Sequence, residues 1–216
     1  MNTNLISSID HLVIGAHTLE EGRNYVRQTL GIFPEAGGEH VKMGTHNCLL
    51  KLGNSIYLEV IAINRDVPQS GRAHWFGLDE FISNTKPRLL TWVVRTNNIE
   101  DAKKKSIISL GEIENMNRGK LEWLITVMPD GSMPMLGIAP TLIQWKSDKH
   151  PAGSLSESGC SLVRIEGYHP KAKVLNEVLL SIGFEGKFIA EKSEQDRKPS
   201  LIAYIETQKG VMKFIS

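Results

Sequence analysis

Two titratable side chains stand in strand-like runs that are otherwise mostly apolar. His11 lies in Ile9-Asp10-His11-Leu12-Val13-Ile14, and Glu59 lies in Tyr57-Leu58-Glu59-Val60-Ile61-Ala62. Strand alternation points His11 the same way as Ile9 and Val13, and Glu59 the same way as Tyr57 and Ile61. A carboxylate among such neighbours needs a partner or a metal. An imidazole nitrogen and a carboxylate oxygen beside open positions suit a catalytic divalent ion. The plainer alternative is a buried His–Glu pair. His46, in Gly44-Thr45-His46-Asn47, is the best general acid/base candidate if it faces the same space, because imidazole titrates near neutrality. Otherwise it is a hairpin histidine bonded to nearby backbone. His40 is a weaker version of the same idea. Arg118 sits in a turn and reads as solvated more readily than as a contact for an anionic substrate, and Lys103-Lys104-Lys105 reads as a solvated helix face. Cys48 reads as core, and no phosphate loop, dinucleotide fingerprint or nucleophile elbow is present.

The elements that must position these groups repeat. Three times a short β-branched run is followed by a polar cap and a helix-period stretch ending at Gly. The first copy opens its helix at Thr18-Leu19-Glu20-Glu21, a capping-box pattern, and closes it at Gly31. The second starts with Leu89–Val94 and carries Asn98, Ile99, Ala102, Ser106 and Leu110 before Gly111. The third starts with Leu162–Ile165, has Pro170 as its expected first helical residue, and closes at Gly183. His11 to Gly31 spans 20 residues, and Trp92 to Gly111 and Arg164 to Gly183 span 19 each. After each Gly, strands are expected: Val41–Gly44, His46–Leu52 and Ser55–Ile63 in the first copy; Glu112–Met116, Lys120–Met128 and Thr141–Lys146 in the second; Leu201–Thr207 and Val211–Ile215 in the third. Each unit reads as βαβββ or a shortened form of it, an α+β chain. The expected organisation is units 9–63 and 89–146 within a first domain 1–151, a lid-like insert 64–88, a linker 147–159 and a third partial unit 160–216. Trp75 and Phe76 in the insert would close over a ligand, bury themselves beneath the loop or lie at a dimer interface.

The repeat, with Ile9-Asp10-His11-Leu12-Val13, Met43–Leu50, Tyr57–Ala62, Trp75-Phe76-Gly77-Leu78-Asp79, and Leu142-Ile143-Gln144-Trp145 before His150-Pro151, resembles the vicinal oxygen chelate superfamily, in its glyoxalase-like branch. The resemblance covers roughly residues 9–151; residues 160–216 match less well. It implies paired βαβββ units whose curved mixed sheets form a cup, with a divalent metal (Zn, Mn, Fe or Ni) held by the first and last strands of each unit. Carried over, His11 and Glu59 are the ligands of the first unit. The second unit departs from the pattern, with Trp92 in the place of a second His and Gln144 in the place of a second Glu. Gln144 would be a neutral third ligand or a substrate contact, and Trp92 a wall for a planar substrate or core. The resemblance implies either a metal-assisted enzyme of isomerase, lyase or dioxygenase type, with Glu59 or His46 moving protons, or a metal-free binder of bleomycin-resistance type. Dioxygenase chemistry is least favoured, because no two-His, one-carboxylate set is visible.

Composition bounds the rest. At 216 residues the chain holds one large domain or two small modules, and 41% apolar with 23% charged residues is ordinary for a globular protein. A net charge of +1 gives no reason to expect nucleic acid or an anionic membrane as partner. Two cysteines make no disulfide framework, and the N-terminal residues lack a leader pattern, so a cytoplasmic protein acting on a small molecule is expected, with a homodimer plausible.

Overall fold

The computed structural model describes residues 4–68 and 71–216. Met1–Thr3 of the leader reading and Gln69-Ser70 of the insert lie outside them.

The first unit runs β1 (Ser7–Gly15), α1 (Leu19–Leu30), β2 (Glu35–His40), β3 (Thr45–Gly53) and β4 (Ile56–Ile63). The second runs β5 (Arg88–Thr96), α2 (Ile99–Lys105), β6 (Glu112–Arg118), β7 (Leu121–Val127) and β8 (Thr141–Trp145). In both, the first strand returns beside the last: β1 pairs parallel with β4, and β5 pairs parallel with β8. The units join through the antiparallel pair β1–β5, which gives one curled eight-stranded sheet in the order β2-β3-β4-β1-β5-β8-β7-β6. The fold is α+β with curved mixed sheets.

Local chemistry explains the helix ends. Thr18 accepts from the Glu21 N–H at 3.2 Å, and Gly31 ends α1 at φ 82°, a left-handed conformation that costs a residue with Cβ more. The second helix stops at Lys105 rather than reaching Leu110, because Ser106 turns extended; Leu110 still reaches the core, from the loop. Pro170 lies in the turn before α3 (Ala172–Ser181), whose N-cap is Lys171. One strand assignment is replaced outright: residues 41–43 form a 3-10 turn, and the strand is Glu35–His40. Glu-Ala-Gly-Gly-Glu-His has no β-branched residue; edge pairing to β3, not propensity, makes it a strand.

The third unit shares the repeat's spacing but not its strand order. β9 (Ser161–Tyr168) crosses over through α3 to a parallel neighbour, β10 (Phe188–Glu191), which the sequence pattern did not show. β11 (Ser200–Thr207) and β12 (Gly210–Ile215) complete a sheet ordered β10-β9-β11-β12. Its apolar face, with Ile165, Leu201, Ala203, Ile205 and Phe214, packs together with Leu12, Ile14, Trp92 and Val94 from the convex face of the large sheet in one core. A second cluster on the concave face, including Val13, Ile61, Val93, Trp123, Ile125 and Ile143, holds the insert through Trp75, Phe76 and Leu78.

Candidate functional site

The concave face encloses a cavity of about 20 Å³ lined by His11, His40, Asn47, Tyr57, Glu59, Trp75, Phe76, Arg118, Trp123, Ile125, Ile143 and Trp145. That is room for a water or an ion, so an organic ligand must displace a wall. Phe76 is the wall under strain: its φ of 59° is left-handed backbone, uncommon for a bulky side chain.

A bulge sets up the first side chain. The β1–β5 register jumps between Ile9 and His11, leaving Asp10 as the extra residue, and this local kink brings neighbouring side chains together. Asp10 Oδ1 lies 2.6 Å from His11 Nδ1. The same buried carboxylate accepts from Trp145 Nε1 at 2.9 Å and from His150 Nε2 at 3.1 Å. His150 Nδ1 accepts from the Ala152 N–H, so its proton sits on Nε2. The segment read as a linker therefore reaches into the site. Burial alone would push the Asp10 carboxyl up, but the bonds from His11 and His150 outweigh it and hold the group well below the usual carboxylate range.

With Nδ1 committed to Asp10, His11 turns Nε2 toward Glu59, whose Oε2 is 3.6 Å away. The His11 ring stacks on Tyr57 at 4.5 Å. Burial, reinforced by Asp10 and Glu59, pushes the Tyr57 hydroxyl well above its ordinary pKa, so it stays protonated. Glu59 Oε1 accepts from Asn47 Nδ2. Asn47 Oδ1 in turn accepts from Gly38 N–H and Arg118 Nη1, both at 2.9 Å. His40 completes the group, with Nε2 4.0 Å from Glu59 Oε1 and Nδ1 3.2 Å from Thr45 Oγ1. Its burial lowers the imidazole pKa to about 4 against the pull of Glu59, so it is neutral at pH 7.

Of the residues singled out in the sequence, the structure brings His11, His40, Glu59, Trp75 and Phe76 to the cavity, and also Arg118, which lines it instead of standing free in solvent at its turn. It places three others elsewhere. Trp92 points to the convex face, stacked on Phe188 at 4.5 Å with Nε1 donating to Ile138 O at 2.9 Å; it walls no ligand space. Gln144 accepts from the Ile99 N–H at 2.8 Å and caps the start of α2, so it is neither ligand nor substrate contact in this arrangement. His46 is half-buried beside Glu39, Asp66 and Arg65 and does not line the cavity; its neighbour Asn47 does. One-residue alternation along the strand accounts for all three: Ile143, Val93 and Asn47 face inward where Gln144, Trp92 and His46 do not. Asp10, Asn47, Tyr57, Trp123, Trp145 and His150 carried no role in the sequence reading. The hairpin register could have found Asn47, since β3 pairs Leu49 with Glu59 and Asn47 with Ile61.

The chemistry of the donors fits a divalent ion at two points, His11 Nε2 and Glu59 Oε2: the imidazole is oriented by a carboxylate through its other nitrogen, as metal-bound histidines usually are. Among the described residues no group of three or more His, Cys, Asp or Glu is arranged to hold a metal. The protein thus offers two ligands, and water or substrate oxygens would supply the rest.

Comparisons with known proteins bear on the fold and the family. The family model described as Glyoxalase-like domain matches residues 9–183, past residue 151 and through α3. No curated protein matches the chain. Among solved structures, a hypothetical protein from Staphylococcus aureus is similar at 18% identity over 97% of this chain and 85% of its own, with a TM-score of 0.59. A methylmalonyl-CoA epimerase in complex with methylmalonyl-CoA and NH4+ is similar at 17% identity over 68% of this chain and 99% of its own, with a TM-score of 0.45. The methylmalonyl-CoA epimerase from Mycobacterium tuberculosis follows at 12% identity over 63% and 85%, with a TM-score of 0.39. At these identities the likeness is one of fold. No helix among the described residues is long and apolar enough to cross a membrane.

Proposed function

The chain belongs to the glyoxalase-like domain family of the vicinal oxygen chelate superfamily, and from that premise we propose that it is a metal-assisted enzyme of isomerase or lyase type acting on a small oxygen-rich molecule. The observation that carries the reading is the buried line Asp10–His11–Glu59, in which an oriented imidazole and a carboxylate converge on one small cavity without a hydrogen bond between them. His11 Nε2 and Glu59 Oε2 lie 3.6 Å apart, close enough for one divalent ion to bridge them. His11 and Glu59 would hold a divalent ion, which when bound supplies Lewis-acid polarisation of the substrate's oxygens.

The chain's own residues do the rest. Asp10 fixes the ring of His11. Asn47 engages Glu59 Oε1 and so holds the carboxylate toward the cavity, where Glu59 would take and return a substrate proton. His40, neutral at pH 7, serves as a hydrogen-bonding neighbour rather than a proton source. Trp75, Phe76, Trp123 and Trp145 wall the cavity off from bulk water.

Metal content by plasma mass spectrometry, on protein purified without chelator, tests this. Near-stoichiometric Zn, Mn, Fe or Ni is expected in the wild type, and its loss in folded His11→Ala and Glu59→Gln. A wild type still empty after incubation with those metals overturns the reading. A second reading, sequestration of a planar molecule without chemistry, is favoured by the five aromatic rings of Tyr57, Trp75, Phe76, Trp123 and Trp145 around the cavity. It predicts ligand binding that survives both substitutions.

A further inference from the structure

Arg118 is the one lysine or arginine lining the cavity among the described residues. It ends β6, at a hairpin where an arginine would ordinarily reach into water. Here its stem folds back over the opposite edge of the curled sheet, against Gly38 of β2. A Cβ at position 38 would meet Arg118 Cδ at 2.7 Å, so the path exists because residue 38 is glycine. Asn47 then fixes the guanidinium: Nη1 donates to Oδ1 at 2.9 Å and lies 3.5 Å from His40 Nε2.

Neither fixing partner is a carboxylate: Asn47 is an amide and His40 an imidazole. No carboxylate is paired with Arg118 among the described residues, and neither Nε nor Nη2 meets a protein acceptor there. Lys42 and Arg72, by contrast, share an acidic partner, Glu114 of β6. A half-buried guanidinium oriented by an amide rather than a carboxylate, with an edge left over, is built to receive an anion that the protein does not supply, and the planar fork matches a carboxylate.

Position narrows the ligand. A single amide, Asn47, bridges Arg118 and Glu59, with Nδ2 on Glu59 Oε1 and Oδ1 on Arg118 Nη1. The anion site and the proposed reacting centre are therefore one side chain apart. We infer that the substrate of that centre is a small carboxylate with an oxygen on the adjacent carbon, an α-oxo or α-hydroxy acid, whose carboxylate sits on Arg118. This rests on the reading under Proposed function and names its substrate class.

Binding of oxalate, pyruvate and butane-2,3-dione, the last an uncharged counterpart of pyruvate, is to be measured by calorimetry with and without Mn2+. Oxalate and pyruvate are expected to bind, and the dione at least about tenfold more weakly. Arg118→Met is expected to lose about tenfold or more for the two acids and to erase the preference over the dione, while metal content stays at the wild-type level. Gly38→Ala keeps the charge but obstructs the stem, and is expected to give the same loss with normal folding by circular dichroism. Dione binding equal to pyruvate, unchanged acid binding in Arg118→Met, or no binding of either acid overturns the inference. If Arg118-dependent binding of the acids appears in protein that takes up no metal, the metal reading fails and this one stands.

Discussion

Neighbours in the chain serve opposite faces of the eight-stranded sheet. His11 looks into the cavity and Leu12 into the core beneath the third unit; Asn47 and Cys48, and Val93 and Trp92, divide the same way. The convex face is uniform. Leu12, Ile14, Trp92, Val94 and Leu142 are fully buried, and the polar groups among them are closed by single bonds, such as Trp92 Nε1 to Ile138 O. The concave face is wired. Asp10, His11, Glu59, Asn47 and Arg118 hold one another through hydrogen bonds and charge, and the packing around them leaves a void. The difference teaches a division of labour within one sheet: dispersion and area on one side supply stability, and the side that spends burial on polar groups keeps its geometry through a chain of specific partners.

The sharpest break of that comparison is Trp92→Ala. The indole is fully buried against Phe184 and Phe188, and its removal leaves a hole between the two sheets. A loss of about 3–5 kcal/mol is expected in urea unfolding. Metal content and oxalate binding, measured where the variant is still folded, should match the wild type. Loss of binding without unfolding would put Trp92 in the site's service, and the two faces would not be separable.

Acid is the second probe, because the wired face buries titratable groups such as His40 and Asp10. His40 is held down to about 4 by burial, from an ordinary value of 6.5. The unfolded chain binds a proton at that residue near pH 6.5 and the folded one does not until about pH 4. Stability from neutral His40 is thus complete above pH 6.5 and lost as pH falls through that window. At about 1.4 kcal/mol per unit the loss approaches about 3 kcal/mol at its acid end. Unfolding free energies from pH 7 to 4 should fall more steeply in the wild type than in His40→Gln. Asp10, held low, adds a further loss only below the ordinary carboxylate range. Parallel curves for the two proteins would remove His40 from the account.

The fold was more legible than the site, and the reason is physical. The helix caps at Thr18 and Gly31, the antiparallel hairpins and the repeat spacing are local signals, and they survive folding. Glu35–His40 is not local: its residues have no strand preference, and only pairing with β3 makes them a strand, so His40 could not be placed. The site suffered from the same kind of distance. His11 and Glu59 stood out because charge among apolar residues is conspicuous, whereas Asn47 is ordinary until Glu59 and Arg118 approach it from β4 and β6. A bulge at Asp10, invisible to alternation, turns that residue onto His11. Trp92 and Gln144 were misplaced because alignment by motif does not fix register, and a shift of one residue exchanges the faces.

Gln144 offers the finest test, because chemistry and position make opposite predictions for it. As a ligand or substrate contact, its loss would strip the metal or weaken binding. In the structure its Oε1 instead accepts from Ile99 N–H at the first residue of α2, a donor that helix geometry leaves without an internal partner. Asn98 satisfies another such donor, from Asp101, so the two side chains share the start of the helix. Gln144→Ala should therefore cost about 1 kcal/mol of unfolding free energy, the ordinary net worth of one such bond. Gln144→Glu, which keeps an acceptor at the helix's positive end, should recover most of it. Neither substitution should change metal content or oxalate affinity. A loss of metal in Gln144→Ala with stability unchanged would put this side chain on the concave face in solution and move the register of β8 by one residue, which would carry Ile143 and Trp145 out of the cavity with it.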